Sequence, residues 1–583
     1  MNKNFIKGLT LSCLVIGSVG LMSCVDNDYD LDKDIDMTIT IGGNLILPGS
    51  NTEEITLKKI FDLDDNSNVK ADQTTGDYML TQSGSQSTTT VSIDPVNIST
   101  TNINAGEPIE LSFNPKASRT VKTDNQKFNT KATFNINQNI TTDVVALNSA
   151  ETNIPVQIQM NLDVNTGNLY INTGTKIVFP DYMTVTCTTD GIMVDAANPN
   201  VLTFTQDKQI EKNTVLANAT ITKIDFTKVD NQGLPKRGNL VIKGEVEVDG
   251  SAYMTDITRP VNAQLKAAGS INSGSILNAT AKVDPKINIT IAPIKITNLP
   301  DFLQDDDVTI NLNNPKIFIK VTNPTPVDVN LTATMTPVGG SGKQVKIGNV
   351  NGGTEAVVIP ANSTDYVICL NRLGAPTDEP LPANTKYIKV ADINNLIEKI
   401  PDEIQMNDIK ATATDEFKVV EMDKKYTVVT DYEFAAPLQF NAGTKIIYTD
   451  RFDGWKDDVE DFDFKEAEIS ITAVNRIPLN MVMNVDAIDA DGNTINEVTA
   501  TVEGTIAAGT MNENGAATST LKVLLKSANT DALHKLDGLS YRVEATSPDE
   551  VEALKGTTLN EKQTIKLDNI RVRVKGGVTV DLN

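Results

Sequence analysis

Ile570, Val572 and Val574 alternate with Arg571, Arg573 and Lys575, Gly576-Gly577 follows, and Val578, Val580 and Leu582 resume the alternation. A period of two puts apolar side chains on one face of a strand and polar ones on the other. The spacing predicts a hairpin with a two-residue glycine turn. The same period recurs from Met37 onward. Ile39 and Ile41 alternate with threonine before Gly42-Gly43, and Val91, Ile93, Val96 and Ile98 recur in a Ser/Thr-rich setting. Thr, Val, Ile and Asn dominate, and turn residues arrive every eight to twelve positions. That rhythm favours all-β sandwiches over α/β folds.

Helical patterns are few. Asp392 can cap Ile393, Leu396, Ile397 and Ile400, a stripe that Pro401 ends. Shorter helical turns are predicted at Leu57–Leu63, Pro300–Gln304 and Asp531–Leu536. Internal repetition says more about organisation. TNIPVQIQMNLDV at 152–164, TNPTPVDVNLTAT at 322–334 and VNRIPLNMVMNVDA at 474–487 each carry Asn, then Pro155, Pro326 or Pro478, then alternating apolar residues. Proline suits a turn between strands because it cannot donate to a ladder. NTGTKIVFPDYM at 172–183 echoes NAGTKIIYTDRF at 441–452. Several copies of one sandwich plan are expected.

Lys3 and Lys7 precede a short apolar run, Leu9 to Leu21, which is too short for a permanent membrane span and reads as a secretory signal. Leu21-Met22-Ser23-Cys24 then resembles the lipobox of bacterial lipoproteins. The resemblance implies cleavage before Cys24, a diacylglycerol on its sulfur and an acylated (palmitoyl-type) amine. Asp26, Asp28, Asp30, Asp32, Asp34 and Asp36 fall on every second position after it. As a strand they would crowd one face with like charge, so residues 24–40 read as a solvated leash. A calcium loop is a weaker alternative, since the loop glycine and closing bidentate acid are missing. Asp26, Asp28 and Asp30 also resemble the export signal that sends Bacteroidota lipoproteins to the outer face of the outer membrane.

NPKIFIKVTNPTPVDVNLTATMTP (314–337), followed by VVIPANST (357–364), resembles the LEA14-like or WHy β-sandwich. There an Asn-Pro precedes two alternating strands and an apolar-Pro-Ala segment returns later. The resemblance implies an immunoglobulin-like sandwich and no activity. VDAIDADGNTI (485–495) and VKGGVTVDLN (574–583) resemble the large surface lipoproteins of Bacteroidota. The expected architecture is therefore all-β, with tandem immunoglobulin-like β-sandwich domains and a few short helices. Boundaries are expected at 1–23 (signal), 24–40 (acidic tether), 41–130 (N-terminal β domain), 131–295 (sandwich), 296–372 (LEA14-like sandwich), 373–448 (linker, short helix and strands) and 449–583 (C-terminal sandwich).

Charge narrows the partners. Removing residues 1–23 leaves 583 − 23 = 560 residues and, with Lys3 and Lys7 gone, a net charge of −25 − 2 = −27. Such a chain is repelled by nucleic acid, and by anionic lipid where only charge acts. The expected link to the outer membrane is the lipid on Cys24, and the expected site is the cell exterior. After lipidation and signal removal Cys187 and Cys369 remain, each in a strand-like run. One disulfide is open to them, but two separately buried thiols in different domains is the simpler reading.

Catalytic equipment is sparse. His534 is the one histidine and lies on a helical turn without an acid–nucleophile pattern around it. Gly339-Gly340-Ser341-Gly342-Lys343 lacks the leading glycine and closing Ser/Thr of a phosphate loop, and reads as a hairpin loop. Asp486, Asp489, Asp491, Gly492 and Glu497 echo a calcium loop one residue short, so Asp491-Gly492 reads as a turn. A glycosidase carboxylate pair can be neither located nor dismissed among so many acids. No catalytic residue, metal ligand or cofactor is assigned. One stretch is irregular, charged and aromatic: Asp450–Glu468, with Phe452, Trp455, Phe462 and Phe464 among acids. Its rings could grip a sugar or a partner protein, with Trp455, Phe452 and Phe462 as contacts. They could equally cap a sandwich end. The function expected is a non-catalytic surface lipoprotein for adhesion, scaffolding or envelope structure. The alternative is an accessory glycan-binding lipoprotein of a nutrient importer.

If Asp26, Asp28 and Asp30 direct surface display, replacing all three with Ala keeps the protein inside the cell envelope. Protease shaving of whole cells reads this directly. Equal cleavage of the variant and the parent would leave those acids as leash alone.

Overall fold

The structure is a computed structural model. It describes residues 39–41, 45–46, 51–84, 86–118, 121–303, 305–339, 342–348, 354–377, 381–456, 462–548, 557–575 and 578–580. Cys24, Asp26, Asp28 and Asp30 lie outside these. The chain is all-β, built as three sandwiches with a few short helical turns.

The large sandwich occupies roughly residues 96–283. Its strands are long and strictly alternating. In Gln126–Asn139, Phe128, Thr130, Ala132, Phe134 and Ile136 point inward and the residues between them outward. Val144–Asp163 runs for 20 residues in the facing sheet and buries Ile154, Val156, Ile158 and Met160. The two sheets are joined by Thr101–Ala105. Its first part pairs with Val261–Ile271, and Asn104 and Ala105 pair with Gln126–Asn139. A strand that changes sheets makes such a corner.

The middle sandwich centres on Lys316–Asn323, which lies between Ser363–Asn371 and Lys425–Pro437. Its second sheet centres on Val329–Val338, flanked by Glu403–Ala413, Val345–Ile347 and Val357–Ile359. The terminal sandwich repeats this plan. Glu466–Asn475 lies between Ala517–Ser527 and Thr564–Lys575. Asn480–Ile488 faces it, paired with Gly538–Thr546, which in turn pairs with Lys445–Phe452.

The duplication reaches atomic detail at the corner between the two sheets. Asn323 and Asn475 are buried at 1% and 0% exposure. The Asn323 amide donates to the carbonyls of Val327 (3.1 Å) and Pro360 (3.0 Å), and its oxygen accepts from Thr325 N–H. The Asn475 amide donates to the carbonyls of Leu479 (3.2 Å) and Ala507 (2.9 Å), and its oxygen accepts from Ile477 N–H. Five residues on, Asp328 accepts from Ala361 N–H and Asn480 from Ala508 N–H. So Ile359-Pro360-Ala361 and Ile506-Ala507-Ala508 play the same part. Each asparagine satisfies backbone groups that the crossing chain would otherwise bury unpaired. The third member of the sequence repeat differs. Asn153 and Pro155 lie within the uninterrupted strand Val144–Asp163, exposed, with a bulge between Glu151 and Ile154. The second echo holds as a turn: Gly174 and Gly443 take φ of +83° and +84°, and Thr175 and Thr444 that follow are both 1% exposed.

Several expectations are corrected. Thr564–Lys575 and Val578–Val580 do not pair as a hairpin. The first pairs with Glu466–Asn475, the second with Ile39–Ile41 and Phe462–Asp463. Residues expected as a 41–130 domain are shared out. Ile39–Ile41, Leu45–Ile46 and Ile55–Thr56 join the terminal sandwich. Tyr78–Ser83 and Ser87–Ser92 join the middle one, and residues from Val96 onward the large one. The 130/131 boundary falls inside Gln126–Asn139. The expected 373–448 linker supplies the central middle-sandwich strands Glu403–Ala413 and Lys425–Pro437. The helix from Ile393 shrinks to a 3-10 turn, Ile393–Leu396, without a side-chain cap from Asp392. Helical turns do form at Leu57–Phe61, Asp301–Leu303 and Thr530–Leu533. Cys187 and Cys369 are free thiols, and burial pushes the Cys369 thiol up to about 12.

The corner geometry sets a test. Asn475→Ala strands buried carbonyls and should destabilise the terminal sandwich by about 3 kcal/mol. Asn153→Ala, at the exposed member of the repeat, should leave the same transition within about 0.5 kcal/mol. Trp455 fluorescence during urea denaturation reports the terminal sandwich, and far-UV circular dichroism followed in parallel also registers the large sandwich that holds Asn153. Equal effects of the two variants would refute the structural distinction between the copies.

Candidate functional site

The aromatic stretch around Trp455 forms one end of the terminal sandwich. Lys445–Phe452 ends beside Gly538 and Leu539, and the chain then turns outward. Asp537, itself 9% exposed, holds that turn. Its carboxylate accepts from Gly454 N–H and Lys456 N–H, both at 3.1 Å, and its carbonyl accepts from Trp455 N–H at 2.8 Å. The backbone on both sides of Trp455 is thereby fixed, and the half-buried indole packs with Phe462 onto a core of Phe464, Leu533, Leu536 and Leu539.

Phe452 points elsewhere. Its ring stacks on Tyr541 at 4.8 Å. Tyr448 donates to Asp450 at 3.1 Å. Burial, then the Asp450 carboxylate, push the hydroxyls of Tyr448 and Tyr541 upward, so both stay neutral donors. Phe462 pairs through its backbone with Val580, and next to it Asp463 lies 2.9 Å from His534 Nε2. The structure thus brings Trp455 and Phe462 together on one core and sets Phe452 on a second aromatic pair. The strand Ile39–Ile41 joins Phe462–Asp463 through the shared partner Val578–Val580. This end of the molecule therefore carries the first described strand of the chain.

The sites weighed and set aside in the sequence read structurally as turns. Asp489 accepts from Asp491 N–H and Asn493 N–H, and Gly492 takes φ of +82°, which closes the Asp491-Gly492 turn on itself. Gly339 and residues 342–344 flank the paired strands Val329–Val338 and Val345–Ile347, and Gly340 and Ser341 of that stretch lie outside the described residues. Among the described residues no group of three His, Cys, Asp or Glu side chains is placed to hold a metal. A cavity of about 10 Å³ lies in the middle sandwich, lined by Leu80, Ile296, Leu303, Ile310, Leu312 and Ile397 among others. That is about the space of one water, with no polar wall to hold it.

Two surface features of the large sandwich escaped the sequence reading. Tyr170 and Tyr253 stack across adjacent strands at 5.2 Å. The Lys122 ammonium sits 4.2 Å above the Tyr253 ring and donates to Asp207, which also accepts from the Tyr253 hydroxyl. The N–H of Thr173, then Lys122, hold the Asp207 carboxyl below its usual range. The second feature is an outer face of amide and hydroxyl side chains. Its signal stood in the sequence as Asn153, Gln157, Gln159 and Asn161 on alternate positions.

No protein-family model matches the chain. No curated protein matches it. A crystal structure titled a “putative secreted protein” from Parabacteroides distasonis ATCC 8503 is similar at 13% identity, over 49% of this chain and 81% of that one, with a TM-score of 0.34. No helix among the described residues is long and apolar enough to cross a membrane.

The half-buried indole sets an intermediate expectation. Trp455→Ala should lower terminal-sandwich stability by about 2 kcal/mol, short of the ~3–5 kcal/mol of a fully buried aromatic. Asp537→Ala, which frees two amides at once, should cost at least as much. Thermal melts by circular dichroism decide. An unchanged melting temperature for Trp455→Ala would make the ring an exposed contact anchor and not a cap.

Proposed function

We propose that this chain is a non-catalytic lipoprotein of the outer membrane, anchored through Cys24 and facing the cell exterior, that acts in adhesion, scaffolding or envelope structure. One observation carries the reading. The first described strand, Ile39–Ile41, pairs with Val578–Val580 near the other end of the chain. The terminal sandwich is therefore the base, next to the leash. The middle sandwich follows, and the large sandwich is an excursion that leaves near residue 93 and returns near residue 284. The 15 residues from Cys24 to Thr38 reach roughly 50 Å when extended. The arrangement is that of a jointed mast holding its largest sandwich outermost.

The joints support a load-carrying role. Ile446, Ile447, Ile477, Leu479 and Ala545 of the terminal sandwich bury into the core of the middle one. Lys418–Glu421 pairs with Gly274–Val283, and Val327, Val420 and Met422 enter the large sandwich's core. The shared asparagine corner also favours a LEA14-like plan for residues 314–364 and extends it to the terminal sandwich. A second reading, an accessory glycan-binding lipoprotein, is favoured by an uncharged patch on one outer face of the large sandwich.

Cys24→Ala should abolish lipid labelling and shift the protein from the outer-membrane fraction to the soluble fraction. Retention of the variant in the membrane would refute the anchor.

A further inference from the structure

The two outer faces of the large sandwich differ in kind. On one, Lys127, Lys131, Lys243, Glu245, Glu247 and Asp249 project from paired strands. Lys131 donates to Glu245 there. On the other, Asn218, Gln157, Ser270 and Asn102 stand opposite one another on four successive strands. Thr186 and Thr220, beside Pro155, make the adjoining row, and Gln159 and Ala268 the next. None of these side chains is charged, in a chain where 22% of residues are, and the patch they form is bordered by charge: Lys266 stands opposite Asn161 on one side and Lys223 opposite Glu151 on the other. The amides are orientated as well. Gln157 donates to Asn218 Oδ1 at 3.1 Å, and Gln159 to Gln157 Oε1 at 2.6 Å.

We propose that this face docks an uncharged polysaccharide, which deepens the glycan-binding reading above. Amide and hydroxyl groups offer donors and acceptors together, as sugar hydroxyls do. No charge has to be stripped of water to make the contact, and depletion of charge marks the centre of binding surfaces. The face is flat and about 15 Å across its four strands, so an extended polymer can lie on it. An anionic glycan is disfavoured by the net charge of −25. A second copy of this chain is disfavoured because Val215, Ala268 and Pro155 are too few and too scattered to form the apolar centre such an interface needs.

Affinity electrophoresis tests this with the full-length chain in mild detergent. The gels contain dextran, galactomannan or a soluble β-glucan, with polygalacturonate as the anionic comparison. Retardation is expected in at least one neutral gel. Gln157→Glu with Ser270→Glu should weaken it at least about tenfold, which a charge on the contact face makes from lost hydrogen bonds and desolvation. Thr133→Glu, on the charged face, should leave it unchanged. Absence of retardation in every neutral gel, retardation in polygalacturonate alone, or equal retardation of the double variant overturns the proposal. So does a dimer in sedimentation that the double variant dissolves, since the face would then belong to a second copy. The assay needs no membrane, so its failure leaves the anchor at Cys24 standing, and failure of the anchor leaves this face as it is.

Discussion

The fold depends on strands from the two ends of the chain closing one sandwich. Ile39–Ile41 pairs with Val578–Val580, and Leu45–Ile46 and Ile55–Thr56 pair with Thr564–Lys575. Thr52 N–H donates to Leu567 O across almost the whole sequence. Loop closure over so many residues is entropically unfavourable, though the penalty grows only with the logarithm of length. Nesting lowers it. The large sandwich closes on local partners, which brings residues 93 and 284 together. The middle sandwich then closes over a shortened loop, and the terminal one last. Stability therefore accumulates from the inside of the sequence outward, and the terminal sandwich is completed only when the last strands exist.

What holds the three units in line is apolar burial and sheet pairing more than charge. Arg542 reaches across to Asp305 at 3.1 Å and to Asp307 at 2.6 Å, yet all three side chains are at least 30% exposed. Such pairs contribute about 1 kcal/mol or less in water. The five apolar side chains shared between terminal and middle cores bury far more. At roughly 25 cal/mol per Å² of apolar surface, a single fully buried isoleucine outweighs the Arg542 pairs. The asparagine corners serve specificity in a different way. A crossover between facing sheets leaves carbonyls without ladder partners, and a buried amide with fixed geometry answers them where water cannot. This is why the same residue recurs at 323 and 475 while the strands around it have drifted.

The sequence was legible wherever a rule was local. Alternation gave the strands and their buried faces, as in Phe128 to Ile136. The Asn-Pro repeat marked two real corners. It misled at Asn153-Ile154-Pro155 because a bulge lets a central strand carry a proline without losing a needed donor. Gly576-Gly577 looked like a hairpin turn, but the partners of its two flanking strands lie far away in sequence, and no local pattern announces them. Trp455 was half legible. Gly454, Lys456 and their acidic neighbours read as an exposed loop, whereas Asp537 supplies the hydrogen bonds that lay the indole on the core. The uncharged patch was spelled out at alternate positions 153–159, yet its meaning depends on which strands stand beside it, and only the register shows that, down to Lys266 opposite Asn161 at its border.

Charge then connects the architecture to its surroundings. The chain carries a net charge of −25, and an aspartate stands at every second position from Asp26 to Asp36. Like charges extend a leash, and an acidic body is repelled by an anionic membrane surface over about a Debye length, roughly 8–10 Å. In the anchored form proposed above, both effects push the terminal sandwich away from the bilayer. On the large sandwich charge is unevenly placed: it gathers on one outer face, while on the other Glu151, Lys223 and Lys266 border rows of amide and hydroxyl side chains. A uniformly charged tip would keep every polymer hydrated and apart. An uncharged patch leaves a place where hydrogen bonds to an uncharged chain can form without first desolvating an ion.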